Sequence, residues 1–231
     1  MPLTAIGFDA DDTLWHNERF FRWTTQRFVE LLDGHAEPDH VSGRLLDAER
    51  RNIRHYGFGI KGFTLSMIET AIEVSGGEVP SGVIGEILAL GRDMLAHPVE
   101  TLPHAAETLE VLASSHRLIL ITKGDLFDQE RKLAQSGLGD FFTEVEIVSD
   151  KTAHTYARIF SGAGDGAENS LMVGNSLRSD VIPAIEAGAW GVHVPHENTW
   201  ALEHAEAPLE ALRFRQIDDL GGLVELVEEI S

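Results

Sequence analysis

The chain has 231 residues, of which 43% are hydrophobic, so it can bury a sizeable core and is not expected to be disordered. It contains no cysteine, which excludes disulfides, thiolate nucleophiles and cysteine-based zinc sites. The formal net charge of −20 argues against nucleic acid or an anionic membrane as a partner. Acidic residues interrupt the first apolar run after a few positions. We therefore predict neither a signal peptide nor a membrane span, and expect a cytoplasmic protein.

An acidic cluster follows the first apolar run of the chain. Ala5–Phe8 is predicted as a short buried strand, and Asp9, Asp11 and Asp12 lie where that strand ends. Ligands of parallel α/β sheets bind at the carboxyl ends of the strands. Carboxylates crowded there repel one another unless a proton or a cation lies between them, and Mg²⁺ is an ion that prefers such oxygen ligands. The alternative is a solvated, turn-forming cluster of aspartates. In either case we expect Asp12 to be structural and to satisfy N–H groups of the loop or of the following helix.

The segment from residue 16 to residue 100 has no alternating β-branched run and instead shows helical periodicity. Four helices are predicted, at residues 18–32, 39–54, 63–74 and 83–95, with breaks rich in glycine and proline. We predict that residues 15–99 form an all-helical cap domain inserted after the first strand. Lys61, in a glycine-rich turn, is the cap residue that we expect to contact substrate, because short cap loops can close over a site.

Beyond Pro98, apolar strands alternate with helices. Strands are predicted at residues 117–122, 144–149, 170–174 and 191–194, and helices at about 104–113, 126–137, 152–160, 180–187, 200–205 and 220–230. This alternation indicates an α/β fold with a Rossmann-like, doubly wound parallel sheet. The predicted catalytic core comprises residues 1–14 and 100–231.

Polar side chains follow three of these later strands. Thr122 and Lys123 end the first, Lys151 follows the second, and Asn175 and Asp180 follow the third. Parallel strands would bring all of them to the sheet edge that also carries the acidic cluster. Together they provide a nucleophile, a second acid, a hydroxyl group, a cation and oxygen ligands, which are the groups that phosphoryl transfer needs.

Taken one at a time, these residues have simpler explanations. Thr122 could cap the helix that follows it, and Lys151 could be a solvated surface lysine. Ser176 and Ser179 could cap the helix that begins near Asp180. The 11 histidines show no metal-ligand spacing, so each is expected to be a surface or core residue.

Four segments in this order resemble the motifs of the haloacid dehalogenase-like (HAD) hydrolase superfamily. They are Asp9-Ala-Asp-Asp-Thr13, Thr122 after an apolar strand, Lys151 after another, and Gly174-Asn-Ser-Leu-Arg-Ser-Asp180. The order and spacing match over nearly the whole chain. The helical insertion is similar to the superfamily's helical type of cap.

The resemblance implies a magnesium-dependent phosphatase that acts on a small phosphorylated metabolite. Asp9 would be the nucleophile that becomes an aspartyl-phosphate, and Asp11 would be the general acid and base. Thr122 would hold phosphoryl oxygens, with Lys123 as a further candidate on the phosphate side. Lys151 would neutralise the negative charge shared by Asp9 and the phosphate.

The resemblance also implies a Mg²⁺ site built from Asp9, the backbone carbonyl of Asp11, Asn175 and Asp180. The fourth motif of such phosphatases usually begins Gly-Asp, whereas this chain has Asn175. An amide oxygen can bind a hard cation, but the site loses one negative charge. We therefore expect a weaker or rearranged metal site in which Asp180 contributes more of the binding to Mg²⁺.

Several other functions stay open at this point. Haloacid dehalogenation and phosphomutase activity use the same fold, although Asp11 argues against dehalogenation because a departing halide needs no proton. A phospho-accepting signalling receiver is disfavoured by the long helical insertion. The change at Asn175 leaves a catalytically weakened phosphate-binding protein as a further alternative. Nothing in the sequence indicates the oligomeric state.

Overall fold

The computed structural model describes residues 3–163 and 165–231. Within these residues six parallel strands form one sheet: β1 Ala5–Phe8, β2 Arg117–Lys123, β3 Glu144–Val148, β4 Ser170–Gly174, β5 Trp190–His193 and β6 Phe214–Gln216. The strand order is β3-β2-β1-β4-β5-β6, so β1 is central and pairs with both β2 and β4. The predicted doubly wound α/β fold is confirmed.

The helices of the described residues are α1 Glu18–Leu31, α2 Pro38–Tyr56, α3 Ile60–Val74, α4 Ser81–Ala96, α5 Ala105–Ala113, α6 Leu126–Ser136, α7 Ala153–Ala163, α8 Ile182–Glu186 and α9 Leu223–Ile230. The predicted helix at residues 180–187 is in fact a π-helical turn, Leu177–Val181, followed by the short α8. The predicted helix at residues 200–205 is a single 3₁₀ turn, Ala201–Glu203. No helix of this described part is both long and apolar enough to cross a membrane.

Side chains that alternate along the strands form a core on each face of the sheet. Ile6 and Phe8 of β1 pack on one face with α5 and α9. Ala5 lies on the other face with Tyr156 and Phe160 of α7. Because β1 is buried on both faces, its four residues are all apolar or glycine, and its end holds the acidic cluster at the centre of the sheet edge.

The chain divides into two compact units. The first contains the sheet and comprises Met1–Glu18, Val99–Lys123 and Gln129–Ser231. The second comprises Arg19–Pro98 and Gly124–Asp128, and so contains nearly all of α1–α4 together with the start of α6. It has its own hydrophobic core, to which α1–α4 each contribute at least one fully buried side chain: Phe28, Leu45, Met67 and Ile87.

Candidate active site

A buried lysine lies between two aspartates at the carboxyl edge of the sheet. Asp9 directly follows β1, Lys151 follows β3 and Asp180 follows β4. Lys151 Nζ is 2.5 Å from Asp9 Oδ1 and 2.6 Å from Asp180 Oδ1. The side chains of Lys151 and Asp180 are each only 1% exposed. Three residues far apart in the sequence therefore meet in one buried cluster, as expected for strand ends of a parallel sheet.

The ionisation of this trio is perturbed by its burial. Burial and the charge of Asp180 raise the pKa of Asp9 to about 7, although Lys151 acts in the opposite direction. Burial disfavours the charged form of Lys151, but the charges of Asp180 and Asp9 outweigh it and raise the lysine pKa. One ammonium between two carboxylates leaves one net negative charge when all three are ionised. The cluster therefore favours a further cation or a bound proton.

The amide of Asn175 lies on the other side of Asp9. One terminal atom of this amide is 3.3 Å from Asp9 Oδ2 and 3.2 Å from the backbone carbonyl oxygen of Asp11. The Thr13 hydroxyl donates to Asp9 Oδ2 at 3.0 Å. If the amide atom is nitrogen, it donates to both oxygens. If it is oxygen, three oxygen atoms face one another, and a cation or a proton between them would offset their repulsion.

The spacing of these atoms is suitable for a hard cation. Neighbouring ligands of octahedral Mg²⁺, each 2.0–2.1 Å from the metal, lie about 3 Å apart. Asp9, the carbonyl oxygen of Asp11 and Asn175 therefore fit Mg²⁺. Asp180 is engaged differently, because Oδ1 contacts Lys151 and Oδ2 accepts from the Ser176 N–H at 2.9 Å. Its role as a metal ligand stays a prediction.

The turn after β4 explains how Asp180 reaches the cluster. A Cβ atom at Gly174 would lie 2.3 Å from Asp180 Oδ2, so a side chain at this position would displace the carboxylate. The Ser176 hydroxyl accepts from the Ser179 N–H at 3.0 Å and caps the π-helical turn. The turn places the Asp180 carboxylate against Gly174, the last residue of β4. π-Helical turns are rare in proteins, and those that occur are often found at functional sites.

Asp11 lies in a polar network that the sequence did not reveal. Its carboxylate accepts from Lys132 Nζ at 2.7 and 2.9 Å, from Gln129 Nε2 at 2.9 Å and from Trp15 Nε1 at 2.7 Å. Burial opposes ionisation, but the Lys132 charge and these hydrogen bonds together lower the pKa of Asp11. Gln129 and Lys132 lie three residues apart on α6, which begins at the same sheet edge, and this spacing was the available signal.

The family of the chain follows from a comparison with protein-family models. The model described as haloacid dehalogenase-like hydrolase matches residues 3–188. The chain belongs to the haloacid dehalogenase-like hydrolase family.

Individual relatives of this HAD-family hydrolase agree with the assignment. A haloacid dehalogenase-like family hydrolase from Xanthomonas campestris is 39% identical, with a TM-score of 0.87 over 99% of this chain and 93% of that one. A glyceraldehyde 3-phosphate phosphatase from Methanothermobacter thermautotrophicus is 28% identical over 97% of this chain and 100% of its own. A HAD-hydrolase from Bacillus subtilis, solved bound to magnesium, is 15% identical with a TM-score of 0.67 over 98% and 99% of the two chains. At that identity the similarity shows the fold alone.

Thr122 and Lys123 of this HAD-family hydrolase lie at the end of β2 in different surroundings. Thr122 is buried and pairs in register with β3, on a strand directly beside β1. Lys123 Nζ is 2.5 Å from Glu203 Oε1 and 2.7 Å from Ser179 Oγ. Glu203, which the sequence did not single out, also accepts from the hydroxyl groups of Ser176 and Ser179. The charge of Lys123 is therefore partly offset by Glu203.

Lys61 lies in the helical unit, at the start of α3. Its Nζ is 2.9 Å from both carboxylate oxygens of Asp125, which belongs to the same unit. Its side chain is 55% exposed, so water screens this ion pair. The structure brings Asp9, Asn175 and Lys151 together within the sheet-containing unit. Contact between Lys61 and substrate stays a prediction.

Proposed function

We propose that this HAD-family hydrolase is a magnesium-dependent phosphatase that cleaves a small phosphate monoester through an aspartyl-phosphate on Asp9. The observation that carries the proposal is the two-sided environment of the Asp9 carboxylate. A buried ammonium lies 2.5 Å from Oδ1, whereas Oδ2 faces the Thr13 hydroxyl and the Asn175 amide. Phosphoryl transfer depends on such positioning and neutralisation of charge. The relative named glyceraldehyde 3-phosphate phosphatase supports a phosphate monoester as substrate.

The first step would be attack by Asp9 Oδ1 on phosphorus. The new bond joins Oδ1 to phosphorus as the bond from phosphorus to the alcohol oxygen breaks, and Asp11 gives that oxygen a proton. Lys151 stays beside Oδ1 and compensates the charge that Asp9 shares with the phosphoryl group. When bound, Mg²⁺ at Asp9, the Asp11 carbonyl oxygen and Asn175 supplies positive charge to the phosphoryl oxygens.

The second step would be hydrolysis of the aspartyl-phosphate. Asp11, now ionised, removes a proton from water, and the water oxygen attacks phosphorus to release inorganic phosphate and the Asp9 carboxylate. Lys132 favours the ionised form of Asp11, which suits this step. The proton for the first step must therefore be taken up by Asp11 as substrate binds.

Turnover of 4-nitrophenyl phosphate by the purified protein tests the proposal. We expect activity with Mg²⁺ that is lost with EDTA and restored by added Mg²⁺. Asp9→Asn should lower kcat by at least ~10³-fold because the nucleophile is lost, and Asp11→Asn should also abolish turnover. Asp140→Asn, the same change at an exposed aspartate of the sheet-containing unit, is the matched control.

Three results would contradict specific parts of the proposal. Full activity of Asp9→Asn would exclude the covalent mechanism. Turnover that is insensitive to EDTA would exclude the metal. Release of chloride from 2-chloropropionate, with no release of phosphate from any ester, would favour the dehalogenase alternative.

A further inference from the structure

Three metal-ligating side chains meet beside the acidic loop without belonging to the site described above. Asp12, His16 and His196 each offer one ligand atom, and these atoms all lie within 4.8 Å of one another. All three residues belong to the unit that contains the sheet. His196 is in the loop after β5, whereas Asp12 and His16 lie between β1 and α1.

The backbone holds the Asp12 carboxylate in a defined orientation. Asp12 is 5% exposed and has φ 62°. Its Oδ1 accepts from the Asn17 N–H at 2.8 Å, and its Oδ2 accepts from the Glu18 N–H at 2.9 Å. The expectation that Asp12 satisfies backbone N–H groups is thus confirmed. Each carboxylate oxygen can accept more than one contact, and outer hydrogen bonds of this kind orient metal-ligating carboxylates.

The distance between His196 and Asp12 does not match a hydrogen bond. His196 Nδ1 lies 3.6 Å from Asp12 Oδ1, beyond hydrogen-bond range, although the His196 side chain is only 9% exposed. The N–H and the carbonyl oxygen of Asn198 each lie 3.3 Å from the same Nδ1. An imidazole nitrogen has one lone pair, so an ion bound at Nδ1 would replace the contact with the Asn198 N–H. Two ligands of tetrahedral Zn²⁺ with bonds of 2.0–2.1 Å lie about 3.3 Å apart, so the separation suits a shared ion with a small adjustment.

The ring positions agree with a shared ion as well. The rings of His16 and His196 are 5.9 Å apart between centroids and tilted by 59°, so they are not stacked. Two imidazoles and one carboxylate are a ligand set of Zn²⁺ and of other late first-row ions, whereas Mg²⁺ is held by oxygen ligands.

We propose that Asp12, His16 and His196 form a second metal site, selective for Zn²⁺ or a related late first-row divalent ion and distinct from the Mg²⁺ site at Asp9. Three protein ligands leave a fourth position for water. The bound ion would connect the loop after β5 to the segment between β1 and α1. It would thereby stabilise the loop that also carries Asp9 and Asp11. The inference does not depend on the phosphatase reaction.

To test this site, the protein is first stripped of metal and then saturated with Mg²⁺. It is next titrated with Co²⁺, and binding is followed by the visible absorption of the bound Co²⁺. We expect one Co²⁺ per chain, displaced by Zn²⁺, and a higher Tm with Zn²⁺ present. His16→Gln and His196→Gln should each weaken Co²⁺ binding by at least about 100-fold, more than loss of an outer contact costs. His40→Gln, at an exposed histidine of α2, is the matched control, and Asp9→Asn should still bind Co²⁺.

The parent protein alone can overturn the proposal, even if a histidine variant does not fold. Absence of Co²⁺ and Zn²⁺ binding to the Mg²⁺-saturated parent would show that Asp12, His16 and His196 are neighbours that hold no ion. Binding that Mg²⁺ or Asp9→Asn abolishes would assign the ion to the Mg²⁺ site instead. Binding that survives in both histidine variants would likewise refute the site.

Discussion

Replacement of Lys151 by methionine tests whether its charge holds the buried trio together. Methionine keeps an unbranched apolar side chain but removes the ammonium that contacts Asp9 at 2.5 Å and Asp180 at 2.6 Å. Two buried carboxylates would then face each other without a counter-ion. Breaking a buried ion pair in this way costs about 3–5 kcal/mol. Because one lysine serves two carboxylates, we expect a loss near the upper end, about 5 kcal/mol.

The loss should depend on pH and on Mg²⁺, and both can be measured by urea unfolding followed by circular dichroism. At pH 8 with EDTA the loss should be largest. At pH 5 it should shrink, because burial and Asp180 raise the pKa of Asp9 to about 7 even beside Lys151. Removal of the lysine charge raises this pKa further, so at pH 5 Asp9 is protonated and needs no counter-ion. Added Mg²⁺ should also recover part of the stability, since it supplies positive charge to the same carboxylate.

Lys61→Met is the matched control for this prediction. It makes the same chemical change at a side chain that is 55% exposed and paired with Asp125. An exposed ion pair contributes about 0–1 kcal/mol, so the free energy of unfolding should change little. Equal and small losses for Lys61→Met and Lys151→Met, with no effect of Mg²⁺, would refute the reasoning.

Three further changes test other parts of the molecule. Lys132→Met removes the positive charge that contacts Asp11, so the pKa of this carboxyl should rise. The pH–rate profile of phosphatase activity should therefore move toward higher pH. Burial raises the pKa of Glu49 on α2 from 4.5 to about 7, so its ionisation lowers stability as pH rises between these values. Glu49→Gln should therefore match the parent at pH 4 and be more stable by at most about 3 kcal/mol at pH 8 in urea unfolding. Gly174→Ala would place a Cβ atom 2.3 Å from Asp180 Oδ2, so it should lower both activity and, by about 1–3 kcal/mol, the free energy of unfolding.

Each of these has a clear contrary result. An unchanged pH–rate profile for Lys132→Met would show that Asp11 is not the group that limits turnover. Glu49→Gln with the same stability as the parent at pH 8 would show that water solvates this carboxylate. Gly82→Ala, at a helical glycine where an added Cβ meets no atom within 4 Å, is the control for Gly174→Ala. Equal effects of the two alanine changes would contradict the predicted displacement of Asp180.

The sequence by itself determined the fold class and the sheet edge at which the polar residues lie. The period of apolar residues separates strands from helices, and the alternation of the two indicates parallel strands whose carboxyl ends share one edge. Position after a strand was therefore enough to select Asp9, Lys151 and Asn175. The edge strand β6 escaped prediction because it has three residues, of which only Phe214 is buried, and so short a segment shows no period.

Only the tertiary structure decided which of these side chains touch. Lys151 pairs with Asp180 as well as with Asp9, and Lys132 binds the Asp11 carboxylate. The loop after β5 brings His196 close to Asp12. All of these contacts join residues that are distant in the chain. Such contacts are determined by strand register, turn geometry and side-chain packing, which leave no periodic trace in the sequence. Periodicity reports the environment of a residue along its own element, whereas the partners of a side chain are set by elements that the local pattern does not contain.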